Sequence, residues 1–233
     1  MTRFRLTAVV LAASAVLWSA SARANTITIN GGQANSFPGT VTLFASGSSP
    51  VAHTGACCPN YTVTATATGT PPESSGFLLS NTIPHSNGST TRTLFLWVTE
   101  TGITAPLGMD SFHSSFTANE FIGPVSSVTL STYLNPSNSV SPIGSTNGED
   151  LLGTATFTSS GVQSTTVAMP TGPGPYALVE FYSITTTGQG ASANLTINLT
   201  TTGTTVIPEP TSLALLGTGV VGLAGLLRRK LNL

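Results

Sequence analysis

The feature that most constrains the fold is a period-two alternation of threonine with apolar residues. Residues 62–68 read Thr-Val-Thr-Ala-Thr-Ala-Thr, and residues 194–200 place Leu195, Ile197 and Leu199 on one side of an extended chain. Alternation of this kind is typical of a β-strand with one buried and one exposed face. A chain built from such segments must form sheets that cover each other's apolar faces.

The composition of the body agrees with this pattern. Threonine and serine supply about a third of residues 25–207, and β-branched residues favour strands over helices. Counting the two alternating runs, the sequence predicts about ten short strands separated by turn signals. We therefore predict an all-β fold, an antiparallel, jelly-roll-like β-sandwich, over residues 25–199. The eight other predicted strands are residues 26–30, 40–45, 76–80, 91–99, 125–134, 152–158, 162–168 and 176–186.

Two of these segments predict positions in the sheets. Residues 91–99 are the most apolar, so we place that strand centrally, with both faces covered. Residues 194–200 are predicted to form a hairpin with the strand before them, across the turn at 187–192. One face of that preceding strand is predicted to carry Tyr176, Leu178, Glu180, Tyr182 and Ile184.

The charge of the chain depends strongly on position. The sequence has 7 basic and 8 acidic residues, and charged residues make up 6% of it, where about 25% is usual. Within residues 25–207 only Arg92 is basic, against seven carboxylates, so the formal charge there is −6. A nucleic-acid binder needs a lysine and arginine footprint, so we exclude nucleic acid as a partner. The same composition argues against a calcium buffer or a charge-stabilised cytosolic enzyme.

The N-terminus has the three parts of a secretory signal peptide. Arg3 and Arg5 precede the apolar run 6–20, and Ala22 and Ala24 stand at the two positions that signal peptidase inspects. This order predicts a signal peptide over residues 1–24 and a mature start at Asn25. Cleavage after Ala22 is the alternative.

The C-terminus also has three parts in order. Pro208-Glu209-Pro210 precede an apolar run at 213–227, and Arg228-Arg229-Lys230 follow it. A helix of about 15 residues spans roughly 22 Å, which is short of the roughly 30 Å hydrocarbon core. We predict a marginal transmembrane helix at 212–227 whose basic stop stays cytoplasmic. Residues 200–207 are predicted to be a polar linker that keeps the Pro-Glu-Pro accessible.

This order of parts resembles the PEP-CTERM sorting signal of exopolysaccharide-producing Gram-negative bacteria. The resemblance covers residues 208–233 and implies processing by an exosortase, a membrane transpeptidase-like enzyme, at or near Pro208-Glu209-Pro210. It also implies export through the inner membrane, a single-pass C-terminal anchor before processing, and then the cell surface or extracellular matrix. It implies nothing directly about residues 25–205.

Cys57 and Cys58 are the only cysteines, and export makes a disulfide plausible. Adjacent Cα atoms lie about 3.8 Å apart, below the usual disulfide range. A strained vicinal disulfide, two reduced thiols and an intermolecular crosslink all stay open. His53 lies nearby, but zinc normally takes four ligands at wider spacing, so we predict no metal site there.

No catalytic set stands out. The best acid–base neighbourhood is Asp110, Ser111 and His113, with Glu120 close in sequence. No G-x-S-x-G elbow surrounds a serine, and we interpret this segment as a solvated loop. A glycosidase would need two carboxyls in one cleft. The carboxyls available for such a pair are Glu100, Asp110, Glu120 and Glu180.

One turn could bind a cation. Glu149 and Asp150 follow Asn147-Gly148, and two carboxylates with an amide and backbone carbonyls could hold calcium. The spacing of an EF-hand is missing, so calcium is an open alternative and not our prediction.

We therefore expect an exported, surface-sorted structural or adhesive protein that is not an enzyme and needs no cofactor, with signal peptidase, an exosortase and extracellular polysaccharide as partners. The alternative is a carbohydrate-binding module. A secreted hydrolase using His113 or a carboxylate pair is less favoured. The carbohydrate-binding alternative requires a row of exposed rings, for which the candidates are Phe112, Phe116, Phe121 and Tyr133.

Overall fold

The computed structural model describes residues 25–34, 40–70, 76–105, 108–140, 149–172 and 175–202. In these ranges the chain forms twelve β-strands. The described residues contain no helix that is long and apolar enough to cross a membrane. The predicted signal peptide and the predicted span at 212–227 lie outside the described residues. The strands are β1 (Thr26–Ala34), β2 (Thr40–Gly47), β3 (Val51–Cys58), β4 (Tyr61–Gly69), β5 (Phe77–Ser86), β6 (Arg92–Ile103), β7 (Gly108–Ile122), β8 (Val125–Asn135), β9 (Asp150–Phe157), β10 (Gly161–Thr171), β11 (Tyr176–Thr186) and β12 (Ser192–Thr202).

The strands form two six-stranded sheets in which the paired strands are antiparallel. Sheet 1 has the order β2-β1-β6-β11-β8-β9, and sheet 2 has the order β10-β7-β12-β5-β4-β3. From β5 to β12 the chain crosses between the sheets at every connection except the one from β8 to β9. This winding of eight strands is that of a jelly roll. The prediction of an all-β fold with antiparallel sheets is confirmed.

The core lies between the two sheets and follows the predicted alternation. On β4, Val63, Ala65 and Ala67 are buried, with threonines on the outward face. On β12 the three apolar residues of the alternating run also point into the core. Burial of these side chains stabilises the sandwich by about 25 cal/mol for each Å² removed from water.

The predicted faces of β6 and β11 agree with the structure. β6 lies inside sheet 1 between β1 and β11, and both of its faces are buried from Leu96 to Glu100. On β11 the predicted inward face is fully buried, whereas Phe181 on the opposite face is only partly buried.

The predicted hairpin between the last two strands is wrong. β11 pairs with β6 and β8 in sheet 1, whereas β12 pairs with β5 and β7 in sheet 2. Both strands present an apolar face, and those faces meet across the core instead of lying side by side. A short turn between two strands does not distinguish a hairpin from a connection between sheets.

Two strands were not predicted. β3 and β7 lack a run of large apolar residues, and β7 passes through the segment that we interpreted as a solvated loop. Its inward positions include Asp110 and Ser114, so the polar sequence hides the alternation.

In addition, β12 continues to Thr202 and includes the first three residues of the predicted linker 200–207.

Candidate functional site

Three carboxyl groups lie between the sheets, in a part of the core that we call the carboxylate layer: Glu100 on β6, Asp110 on β7 and Glu180 on β11. Their side chains are 0%, 2% and 0% exposed. Each occupies an inward position that the period of two assigns to the core. Ionised carboxylates are expensive to bury unless they are neutralised or well hydrogen-bonded. The carboxylate layer is therefore the most unusual chemical feature of the sandwich.

Glu100 receives three hydrogen bonds. The Thr70 backbone N–H and the Asn25 side-chain amide donate to its Oε1 at 2.7 and 3.0 Å, and the Thr70 hydroxyl donates to Oε2 at 3.3 Å. A Cβ on Gly69 would lie 2.6 Å from the Glu100 carboxyl carbon, so glycine permits this approach. Burial raises the pKa of Glu100 to about 7, although the hydrogen bonds from Asn25 and Thr70 oppose the shift.

Glu180 has fewer partners. The Ser80 hydroxyl donates to Glu180 Oε2, and Ser80 Oγ also lies 2.6 Å from the Tyr182 hydroxyl oxygen. Among the described residues, Glu180 Oε1 has no hydrogen-bond partner. Burial raises the pKa of Glu180 well above its ordinary value, and the nearby Glu100 raises it further, while the Ser80 hydrogen bond lowers it. Burial without an opposite charge beside it therefore favours the neutral, protonated form of Glu180.

Asp110 closes the layer from sheet 2. The Thr171 hydroxyl donates to Asp110 Oδ2 at 2.8 Å, and within the described part of the chain Asp110 Oδ1 has no hydrogen-bond partner. Tyr176 lies near this carboxyl: burial raises the pKa of its hydroxyl, and the charges of Asp110 and Glu100 add to the shift. The neighbours of Glu100 in the layer are thus acidic or neutral.

The geometry does not support the glycosidase and hydrolase alternatives at these residues. Glycoside hydrolysis needs two carboxyls that reach a bound sugar and a water molecule, whereas Glu100, Asp110 and Glu180 are enclosed by the sheets. Glu120 is exposed near the end of β7, outside the layer. Alternation along β7 also puts Asp110 inside the core and His113 on the outer surface, where His113 Nδ1 lies 3.0 Å from Thr166 Oγ1. Asp110 and His113 therefore cannot act together on one substrate.

The cysteines lie at the end of β3. Cys57 is buried and Cys58 is partly buried, and both are free thiols in this structure. The pairing of β3 with β4 shifts between Ala56 and Cys58, which leaves Cys57 as the extra residue of a bulge. A hydrogen bond to Cys58, together with burial, raises the pKa of Cys57, and the same hydrogen bond lowers that of Cys58. The disulfide stays a prediction for the exported protein.

The structure does not gather the remaining metal candidates. No group of three histidine, cysteine or acidic side chains suited to a metal ion occurs among the described residues. His53 stacks on Phe44 with ring centroids 4.7 Å apart. Of the calcium candidates, Glu149 accepts a hydrogen bond from Asn135 at 3.4 Å and Asp150 is exposed at the start of β9, whereas Asn147 lies outside the described residues.

The proposed aromatic row is not formed by the predicted rings. Phe112 and Phe116 are buried in the core, and Phe121 packs against it. Tyr133 is partly buried on β8. Sequence reasoning missed a ring cluster on the outer face of sheet 1. It consists of Phe95, Trp97 and Phe181, with ring centroids 5.4 to 6.3 Å apart. Trp97 is only 1% exposed, so this cluster is packed and not an open stacking platform.

The outer face of sheet 2 carries a group of polar side chains where β5, β7 and β12 meet, and the exposed Glu120 lies opposite one of them, Asn194. The Asn81 amide donates to Asn194 Oδ1 at 2.9 Å and to Thr196 Oγ1 at 3.0 Å. The Asn119 amide donates to the same two acceptors at 3.3 and 3.2 Å. We call these four residues the Asn–Thr cluster. Their amides and hydroxyls point outward and retain further capacity for hydrogen bonds.

The partners of Glu100 and Glu180 were also missed. Thr70 and Ser80 lie 30 and 100 residues from the carboxyls that they contact. The only local signal was the presence of glutamate at an inward position of an apolar strand, which predicts a buried partner but does not identify it.

The predicted processing residues all lie outside the described residues: Ala22, Ala24, Pro208, Glu209, Pro210, Arg228, Arg229 and Lys230.

Comparison with known proteins identifies the C-terminal signal. Residues 206–230 match the PEP-CTERM protein-sorting motif, which confirms the predicted sorting signal. This motif implies export and cell-surface sorting, and an exosortase generally recognises it. No curated protein matches the chain.

Two solved structures have distant similarity to the sandwich. TmCBM61 in complex with beta-1,4-galactotriose covers 62% of this chain and 88% of its own, at 10% identity and a TM-score of 0.30. The enzymatically active domain of bacteriophage CBA120 tailspike protein 4 covers 60% of this chain and 19% of its own, at 11% identity and a TM-score of 0.26. At such TM-scores neither similarity indicates what this chain binds or does.

Proposed function

We propose that this PEP-CTERM sorting-signal protein is a structural or adhesive component of the cell envelope or the extracellular polysaccharide matrix. The observation that carries the proposal is the combination of a sorting motif at 206–230 with a charge-poor sandwich whose outer surface includes the Asn–Thr cluster. Amides and hydroxyls can exchange hydrogen bonds with sugar hydroxyls without requiring a counter-ion. A body with one basic residue and a formal charge of −6 also avoids strong, nonspecific attraction to other polyanions.

The proposed route has two processing steps. Signal peptidase removes residues 1–24 during export, and the apolar run at 213–227 then holds the precursor in the inner membrane. An exosortase acts at or near Pro208-Glu209-Pro210 and separates the sandwich from its membrane segment. The enclosed carboxyls are compatible with a non-enzymatic role, because they lie between the sheets and do not face a substrate.

The route is tested with an epitope tag placed after β8, at residues 136–140, in cells that contain an active exosortase. We expect the wild-type protein to be shortened and to reach the surface or matrix fraction. A variant with Pro208→Ala and Pro210→Ala should lose only its signal peptide, keep its C-terminal segment and remain in the inner membrane, whereas a control with Thr204→Ala should be processed normally. Wild-type protein that stays full length in the inner membrane would contradict the proposal.

A further inference from the structure

We propose that Glu100 is the docking site for the α-ammonium group that signal-peptide removal creates at Asn25. Docking would couple export to completion of the fold, because the precursor lacks this charge. The inference rests on the export step of the proposed function. It goes beyond that step by giving the new N-terminus a binding site inside the sandwich.

The position of Asn25 follows from the pairing of β1 with β6. Thr26 lies opposite Thr101, and Ile27 lies opposite Glu100, so Asn25 is a diagonal neighbour of Glu100 on the same face of the sheet. Such neighbours are separated by about 7–8 Å between Cα atoms. The Asn25 side-chain amide already donates to Glu100 Oε1 at 3.0 Å and to the Thr70 carbonyl at 3.3 Å. The α-nitrogen is bonded to the same Cα, about 1.5 Å away, so the new charge belongs to the residue that already contacts the Glu100 carboxyl.

The lysine and arginine residues of the body are too few and too distant to neutralise Glu100. Glu180 on β11 and the hydroxyl of Tyr176 lie near Glu100, and Asp110 on β7 lies near the same hydroxyl. Arg92 is the only lysine or arginine in residues 25–207, and it is eight positions away along the same strand. At about 3.3 Å per residue that is roughly 26 Å. Burial raises the pKa of Glu100 to about 7, so its ionised form lacks sufficient compensation near neutral pH.

Cleavage supplies the missing charge. Hydrolysis of the Ala24–Asn25 peptide bond consumes one water molecule, leaves a carboxylate on the signal peptide and frees an amine on Asn25. That amine takes up a proton, since an α-amino group has a pKa of about 7.7–8.0. In the precursor the same nitrogen is an uncharged amide. An ion pair with the ammonium would lower the pKa of Glu100 and raise that of the amine.

The test uses the reactivity of the new N-terminus. Processed protein from producing cells is treated with an N-hydroxysuccinimide ester from pH 6 to 10, folded and in urea, and acylation of the N-terminal peptide is followed by mass spectrometry. Lys230 is the only lysine in the sequence, so few other amines compete. A pKa raised by one unit makes the folded amine react about tenfold more slowly below that pKa. We expect at least this protection, and equal folded and unfolded rates would overturn the proposal.

Two variants assign the protection to Glu100. Glu100→Gln should restore the unfolded labelling rate, whereas Glu120→Gln, which removes an exposed carboxyl, should leave the protection intact. If Glu100→Gln does not fold, a chain that retains Ala24 after cleavage replaces it, since the displaced amine should label at the unfolded rate. Protection that persists in the variant used overturns the docking.

The start of the mature chain separates the two proposals. A chain found only with its signal peptide retained contradicts the export step itself. A chain that starts at Asn25 with a fully reactive amine contradicts the docking alone.

Discussion

Glu180 has no exposed surface, and one of its carboxyl oxygens has no hydrogen-bond partner among the described residues. Such a group is retained in a core only if it is neutral or if its charge is compensated. Ser80 and Tyr182 form a short polar chain beside it, without an opposite charge. Keeping Glu180 neutral in the folded protein therefore costs more free energy as the pH rises. The pH dependence of the free energy of unfolding measures this cost.

We expect Glu180→Gln to flatten the dependence of stability on pH. The folded pKa lies well above the ordinary value of 4.5, so above that pH the folded protein keeps a proton that the unfolded chain releases. The free energy of unfolding therefore falls as pH rises, by up to about 1.4 kcal/mol per pH unit for this group. Glutamine does not ionise and removes this contribution. Urea denaturation between pH 4.5 and 8 measures the slope.

The matched control for this slope is Glu120→Gln, because Glu120 is exposed. Its slope should equal that of the wild-type protein. A Glu180→Gln variant with the wild-type slope would show that Glu180 ionises similarly in the folded and unfolded states.

At the scale of the element, β7 places neighbouring residues on opposite faces of sheet 2, one face buried and the other exposed. Its inward positions place Phe112 and Phe116 in the core, and its outward positions place His113 on the surface. The strand lies between β10 and β12 in sheet 2, so it is paired on both edges. A solvated loop over the same residues would not distinguish adjacent side chains in this way.

Substitution of adjacent residues tests this assignment. Phe112→Ala should reduce the free energy of unfolding by about 3–5 kcal/mol, since it removes a fully buried ring. His113→Ala should change it by less than about 0.5 kcal/mol, as is usual for an exposed position. Chemical denaturation measures both. Similar small losses in the two variants would restore the loop interpretation.

For the whole molecule, the proposed processing would remove most of the basic residues. Six of the seven basic residues lie in the first 24 or the last six positions of the chain. Removal of both ends would leave Arg92 against seven carboxylates, although burial favours the neutral forms of Glu100 and Glu180 in the folded protein. The precursor and the mature protein are therefore electrostatically different molecules.

We expect the mature protein to have a much lower isoelectric point than the precursor, for which the sequence gives about 6.3. Denaturing isoelectric focusing is the appropriate measurement, because unfolding returns the buried carboxyls to their ordinary pKa values. The mature species should focus below pH 5, near the ordinary pKa values of carboxyls. A protein cut only at the signal peptide retains Arg228, Arg229 and Lys230 and serves as the intermediate reference. A mature species that focuses near 6 would show that its basic ends are retained.

The sequence by itself determined the local structure and the destination. Alternation on β4, β11 and β12 identified their buried faces, because side-chain direction in a strand depends only on the period of two. The sorting motif was readable because a membrane-targeting signal is a linear order of parts, here Pro208-Glu209-Pro210, an apolar run and a basic stop. Neither inference needs knowledge of distant contacts.

Only the tertiary structure decided which strands pair and which polar groups meet. The turn after β11 was compatible with a hairpin within one sheet or with a connection between the two sheets. The chain passes from sheet 1 to sheet 2 at this turn, because the apolar faces of β11 and β12 are then both buried between the sheets. Glu100 meets Asn25 and Thr70, and Glu180 meets Ser80, across separations of 30 to 100 residues. No local pattern encodes such meetings, because they depend on how two whole sheets stack around one core.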